Sequence, residues 1–94
     1  MSEESELAEV RARVSFGLDV QQFMGGSIGR HLAGRANNDI ESAKDALLTV
    51  DPEDARAVRQ HQNQGAVAAM FLQWLGEAVT AGEQAEAEWM AREG

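Results

Sequence analysis

Apolar residues recur at steps of three and four along almost the whole chain. Leu7, Val10, Val14 and Leu18 form one such series, and Leu32, Ala36, Ile40, Ala43, Leu47 and Val50 a second. Val67, Phe71, Trp74, Leu75, Ala78, Gly82, Ala85 and Trp89 form a third. This spacing keeps side chains on one face of an α-helix, so the pattern predicts an all-α fold. Two interruptions divide it. Gly25-Gly26 should bend or break the backbone. Pro52, the only proline, disfavours helical geometry at Asp51 and so ends the second series. Ser27 can cap a helix over about 27–49. Asp51 as N-cap and Pro52 at the first helical position, followed by Glu53 and Asp54, can open another over about 52–92.

A helix of some 40 residues is roughly 60 Å long, and its partner of some 23 residues roughly 35 Å. The short connection makes them antiparallel neighbours. The expected architecture is a single domain, 1–94: a long helical hairpin over 27–92, with a shorter N-terminal helix (1–24) packed alongside its far end. Leu32, Ile40, Leu47, Val67, Phe71, Trp74 and Leu75 are the residues expected in the hairpin seam, so truncating Phe71 or Trp74 should cost about 3–5 kcal/mol. Val58, Leu72, Val79 and Met90 lie away from the Phe71 stripe on the long helix. That leaves a wide apolar surface for self-association or docking. Leu72, Val79, Trp89 and Met90, with Glu83, Glu86 and Glu88, are its candidate partner surface.

Charge sharpens this picture. Glu3, Glu4, Glu6 and Glu9 give the first residues −4. Glu77, Glu83, Glu86, Glu88 and Glu93, less Arg92, give another −4. The seven basic and seven acidic residues between them cancel, so the whole net charge of −8 sits near the termini. Such ends repel phosphates, and the pairs Arg11/Arg13, Arg30/Arg35 and Arg56/Arg59 are too dispersed for a nucleic-acid stripe. No direct nucleic-acid binding is expected. Cysteine is absent, which removes disulfides and thiolate chemistry. No apolar run has the length of a membrane span, and the acidic start is unlike a signal peptide, so a cytoplasmic location is expected.

Candidate chemistry is sparse. His31 and His61 are the only histidines, and no HExxH or comparable spacing accompanies them. Ser27, His31 and Asp39 are the types of a catalytic triad, but one helix start and points four and twelve residues on do not make a relay. Gly25, Gly26 and Gly29 lack the preceding strand and following Lys-Ser/Thr of a phosphate loop. Gln60 and Gln64 share the Phe71 stripe. If buried they would fix helix register through their amides, and at the hairpin end they would instead be wet. No catalytic, cofactor or metal residue is assigned, and no enzyme activity is expected.

The segments FMGGSIGRHLAGRA (23–36), TVDPEDARAVRQHQNQ (49–64) and FLQWLGEAVTAGEQAE (71–86) resemble small all-helical proteins of tailed bacteriophages. The shared order is Phe23, Ser27, Gly29 and Leu32, then Val50-Asp51-Pro52, then Gln62-Asn63, then Trp74-Leu75 and Gly82. It spans about two-thirds of the chain, leaving the N-terminal twenty residues outside. The resemblance implies a phage or prophage origin and a lean toward virion assembly, in the host cytoplasm or on the virion. The expected function is a non-catalytic interaction protein, self-associating as a homo-oligomer or docking on an assembly component through an apolar helix face. The alternative is a phage-encoded acidic inhibitor of a host nucleic-acid-binding or defence protein.

Overall fold

The computed structural model describes residues 2–93, so the outermost residues of the expected 1–94 domain lie outside the described residues. Its fold is all-α. Among the described residues there are three helices, α1 (Glu3–Gly25), α2 (Ser27–Thr49) and α3 (Ala55–Glu93). α2 and α3 form the expected hairpin, and α1 lies along the far half of α3. The molecule measures 58 × 30 × 18 Å, about one α3 length by less than two helix diameters in its thinnest direction.

Each boundary has a local cause. Ser2 caps α1, its Oγ accepting from the Ser5 amide at 3.2 Å, and Glu3, Glu4 and Glu6 complement the helix dipole. Gly26, in an extended conformation, ends α1 and starts α2. Its amide returns to the Gln22 carbonyl at 3.0 Å, and its carbonyl accepts from Arg30 N at 3.0 Å. The hairpin turn corrects the expected start of the long helix. Asp51 caps the turn rather than the helix: its Oδ1 accepts from the Glu53 amide at 2.9 Å, and its carbonyl from the Asp54 amide at 2.9 Å. Pro52 therefore occupies the second position of a β-turn, which its fixed φ suits. Asp54 is the true N-cap of α3, its Oδ1 accepting from the Ala57 amide at 3.1 Å.

The seam is built from small residues. Val20, Ala36, Ala43, Ala68 and Ala85 are the buried hydrophobics, joined by Gly17, Gly29 and Gly82. Among the described residues no large side chain is fully buried. On α3 the residues turned inward follow a seven-residue repeat: Val58, Gly65, Leu72 and Val79 alternate with His61, Ala68, Leu75, Gly82 and Trp89. α2 answers with Gly29, Ala33, Ala36, Ile40, Ala43 and Leu47, followed by its C-cap Val50, and α1 with Leu7, Val10, Val14, Gly17 and Met24.

Glycines let backbones touch. A Cβ on Gly82 would stand 2.9 Å from the Arg13 carbonyl oxygen and 3.3 Å from Gly17 Cα, so α1 and α3 cross there backbone to backbone. A Cβ on Gly65 would meet the Ala43 Cβ at 3.3 Å, the corresponding close approach of α2.

Candidate interaction surface

With small residues inside, large ones are turned outward. Val67 is 68% exposed and Trp74 61%, so neither belongs to the hairpin seam in which the sequence pattern put them. Leu32 lies at the seam's edge, 37% exposed. Ile40, Leu47 and Leu75 are half-buried against neighbouring helices, as seam residues should be, whereas Phe71 is half-buried at the outer edge of the seam, in the groove beside Val67. The expected partner residues shift in the opposite sense. Leu72 and Val79 are half-buried in the seam, and Val58 with them. Trp89 is half-buried in a groove lined by Leu7, Val10 and Val14 of α1. Met90 alone of the four apolar residues is freely exposed, together with Glu83, Glu86 and Glu88.

The physical reason is that Gly65 and Ala68 admit α2 closely, whereas Val67 and Phe71 in the same place would hold the helices apart. Close contact along a small-residue row therefore outweighs the hydrophobicity of the larger one. The outer stripe, Gln60, Gln64, Val67, Phe71 and Trp74, then flanks the seam rather than forming it.

An open groove of about 600 Å³ runs along this flank between α2 and α3. Leu32, Val67 and Phe71 line its apolar part; Arg35, Asp39, Gln60, Asn63 and Gln64 line its polar part near the hairpin turn. Gln60 and Gln64 are exposed at its rim, which overturns the buried, register-fixing role. Trp74 follows Val67 by two turns on the same stripe. On α1, Phe16 and Phe23 repeat the seven-residue spacing and are 60% and 38% exposed. They fall on the flank marked by the Glu6–Arg92 ion pair (3.0 Å) and by Val20 and Ala85, the same side of α3 as Phe71 and Trp74. In antiparallel pairs this correspondence is required, because flanking positions meet their own kind. One side of the molecule thus carries Phe16, Phe23, Leu32, Val67, Phe71 and Trp74.

The hairpin and α1 also gather the charge. Glu6 pairs with Arg92 and Gln21 donates to Glu83 at 3.4 Å, so the N-terminus of α1 lies beside the C-terminus of α3. Both acidic segments meet at one end of the rod, and the turn end is neutral overall. Arg92 also stands over the Trp89 ring, 5.1 Å from its centroid, while the Trp89 indole donates to Glu93 at 2.6 Å.

The remaining candidates do not assemble. His31 is exposed, and His61 is half-buried beside Ile40, Ala43, Leu47 and Gly65. Among the described residues no three His, Cys, Asp or Glu side chains are grouped to hold a metal ion, and no helix is long and apolar enough to cross a membrane. Ser27 and His31 are exposed on α2, each on its own turn. Sequence reasoning missed the small-residue seam and the outward pair Phe16 and Phe23. The seven-residue spacing of Gly and Ala (Gly29, Ala36, Ala43; Ala68, Leu75, Gly82) was the available signal. Compared with family models, curated proteins and solved structures, the chain matches none.

Proposed function

We propose that this chain is a non-catalytic interaction protein that works through the apolar flank centred on Val67, Phe71 and Trp74. The observation that carries the reading is the distribution of side-chain size: the most buried positions are alanines, glycines and one valine, while Phe16, Phe23, Phe71 and Trp74 lie on one outer side. An exposed patch of this kind is costly in water unless something covers it. The resemblance to small phage proteins suggests the setting, a virion assembly or packaging step in the host cytoplasm or on the virion. The patch could be filled by another copy or by a phage or host protein.

Light scattering across a concentration series tests this reading, with the double variant Val67→Ser/Trp74→Ser as control. A mass above the 10.2 kDa of one chain that falls to the monomer in the variant supports it through self-association. A monomer that binds an apolar dye, and loses the dye in the variant, supports docking on another protein. A monomer that binds no dye overturns it.

A second reading rests on the convergence of both acidic segments at one end. This end would occupy a basic groove, as an inhibitor of a host nucleic-acid-binding or defence protein does. In that case Glu83→Gln/Glu86→Gln/Glu88→Gln weakens capture by an arginine-rich surface, and added salt does the same. An apolar interface predicts little salt dependence.

A further inference from the structure

Resting on the reading of the apolar flank as an interface, we infer that its occupant is a second copy of this chain, set antiparallel, with α3 crossing its counterpart near Phe71. Three observations lead there.

The first is area. Leu32, Val67, Trp74, Phe16 and Phe23 together leave roughly 500 Å² of apolar side chain in water, taking ~200 Å² for a complete large side chain. One partner's share of a standard interface is ~800 Å², of which a little over half is apolar, or roughly 450 Å². The flank therefore supplies the apolar part of one side of a complete dimer interface.

The second is thickness. At 18 Å the molecule is less than two helix diameters deep, and among the described residues no large side chain is completely buried. Joining two such layers, six helices in all, makes a bundle four helices in cross-section whose core contains the aromatics. A partner needed for the core has to be present whenever the chain folds. A second copy meets that condition without further supply.

The third is charge, and it selects the arrangement. Were the copies parallel, the two acidic ends would be stacked, −8 against −8. Turned antiparallel, each acidic end lies over the other's neutral turn end. The stripe on α3 is suited to this reversal. Val67 and Trp74 flank its centre near residue 71 and exchange places across a two-fold axis. Arg56 and Glu88, both exposed on that side, approach the opposite copy's Glu88 and Arg56. Neither takes part in the ion pairs Arg92–Glu6 and Lys44–Glu41.

The cysteine-free chain makes the pairing directly testable by oxidation of introduced thiols. Met70→Cys, beside the axis, should form a disulfide-linked dimer in high yield. Gln60→Cys and Ala81→Cys should each remain unlinked alone and link when mixed, because residue 60 faces residue 81 only across an antiparallel pair. Arg56→Glu and Glu88→Arg should each weaken association two- to fivefold, and their combination should restore it. Linking of Gln60→Cys to itself, or equal yields for all single variants, would overturn the arrangement. So would a monomeric wild type at millimolar concentration. Docking on a different protein through the same flank would survive such a monomer if Val67→Ser/Trp74→Ser still abolished dye binding, so the two ideas fail separately.

Discussion

Gly29 and Gly34 lie five residues apart on α2, and a single methyl group should act on them in opposite directions. Gly34 is exposed, and a Cβ there meets nothing within 4 Å. Gly34→Ala should therefore return the ordinary helix-interior preference for alanine, about 0.5–1 kcal/mol of stability. Gly29 is buried where α2 folds back on α1. A Cβ there would overlap the Phe23 carbonyl carbon and oxygen and stand 2.9 Å from Met24 Cα. Those are backbone atoms, so no rotamer change relieves the overlap and the bend at Gly26 must open. Overpacking of this kind costs about 1–3 kcal/mol or more, and the alanine preference offsets only part of it. A net loss of about 2 kcal/mol should lower Tm by roughly 8–16 °C in a domain of this size, while Gly34→Ala should raise it by roughly 2–8 °C. Circular dichroism at 222 nm during heating, with urea unfolding at one fixed protein concentration, measures both. A Gly29→Ala protein as stable as wild type would mean that α1 and α2 do not meet at Phe23, and the bend would be misplaced.

Two further outcomes follow from the seam and the caps. Asp54→Ala should cost about 1 kcal/mol by removing the N-cap of α3, read by urea unfolding, and Asp54→Asn should recover most of it. In a Trp74→Glu background, chosen to keep the chain monomeric, Leu75→Ala should lose about 1–3 kcal/mol, whereas Val67→Ala should lose less than about 0.5 kcal/mol. Equal losses at the two positions would return Val67 to the seam.

Much of the fold was legible because its signals are local. Ser27 to Thr49 was bounded correctly by a glycine break before it and a proline after it, and a short turn forces an antiparallel return. The start of α3 was displaced to Asp54 because Asp51 and Asp54 are equally good caps by type, and only the hydrogen bonds of the turn separate them. The face of α3 was misjudged for a different reason. Reading hydrophobicity by side-chain size favours the stripe through Val67, Phe71 and Trp74, whereas packing rewards how closely two backbones approach. Gly65, Ala68 and Gly82 carry little hydrophobic signal but permit that approach. The two stripes converge at Leu75 and Gly82, which face inward as the pattern predicts, whereas Trp74 turns outward and Val79 and Trp89, expected on the partner surface, turn inward. For the candidate surface this error was decisive, since it exchanged Leu72 and Val79 for Val67 and Trp74. The meeting of Glu6 with Arg92 depends on α1 folding back along α3, and that follows from the bend at Gly26 rather than from any local charge pattern.

A seam whose larger side chains are only half-buried, and whose buried positions are alanines, glycines and one valine, gives an isolated chain little apolar burial per residue, so association and folding should be coupled. If the copies hold each other's aromatics, dilution removes stability by mass action. A tenfold dilution costs about 1.4 kcal/mol per dimer, or about 0.7 kcal/mol per chain. At 4–8 °C per kcal/mol, Tm should fall by roughly 3–6 °C for each tenfold step above the dissociation constant, and level off once monomers dominate. Trp74 emission offers a second reading of the same equilibrium in a Trp89→Phe background, because its ring is exposed in one chain and covered in the pair. The shift to longer wavelength should begin at the concentration where Tm starts to fall. A Tm independent of concentration from micromolar to millimolar, with Trp74 emission that of a wet indole throughout, would show that the small-residue seam alone holds the fold. The aromatic flank would then be reserved for a partner of different sequence.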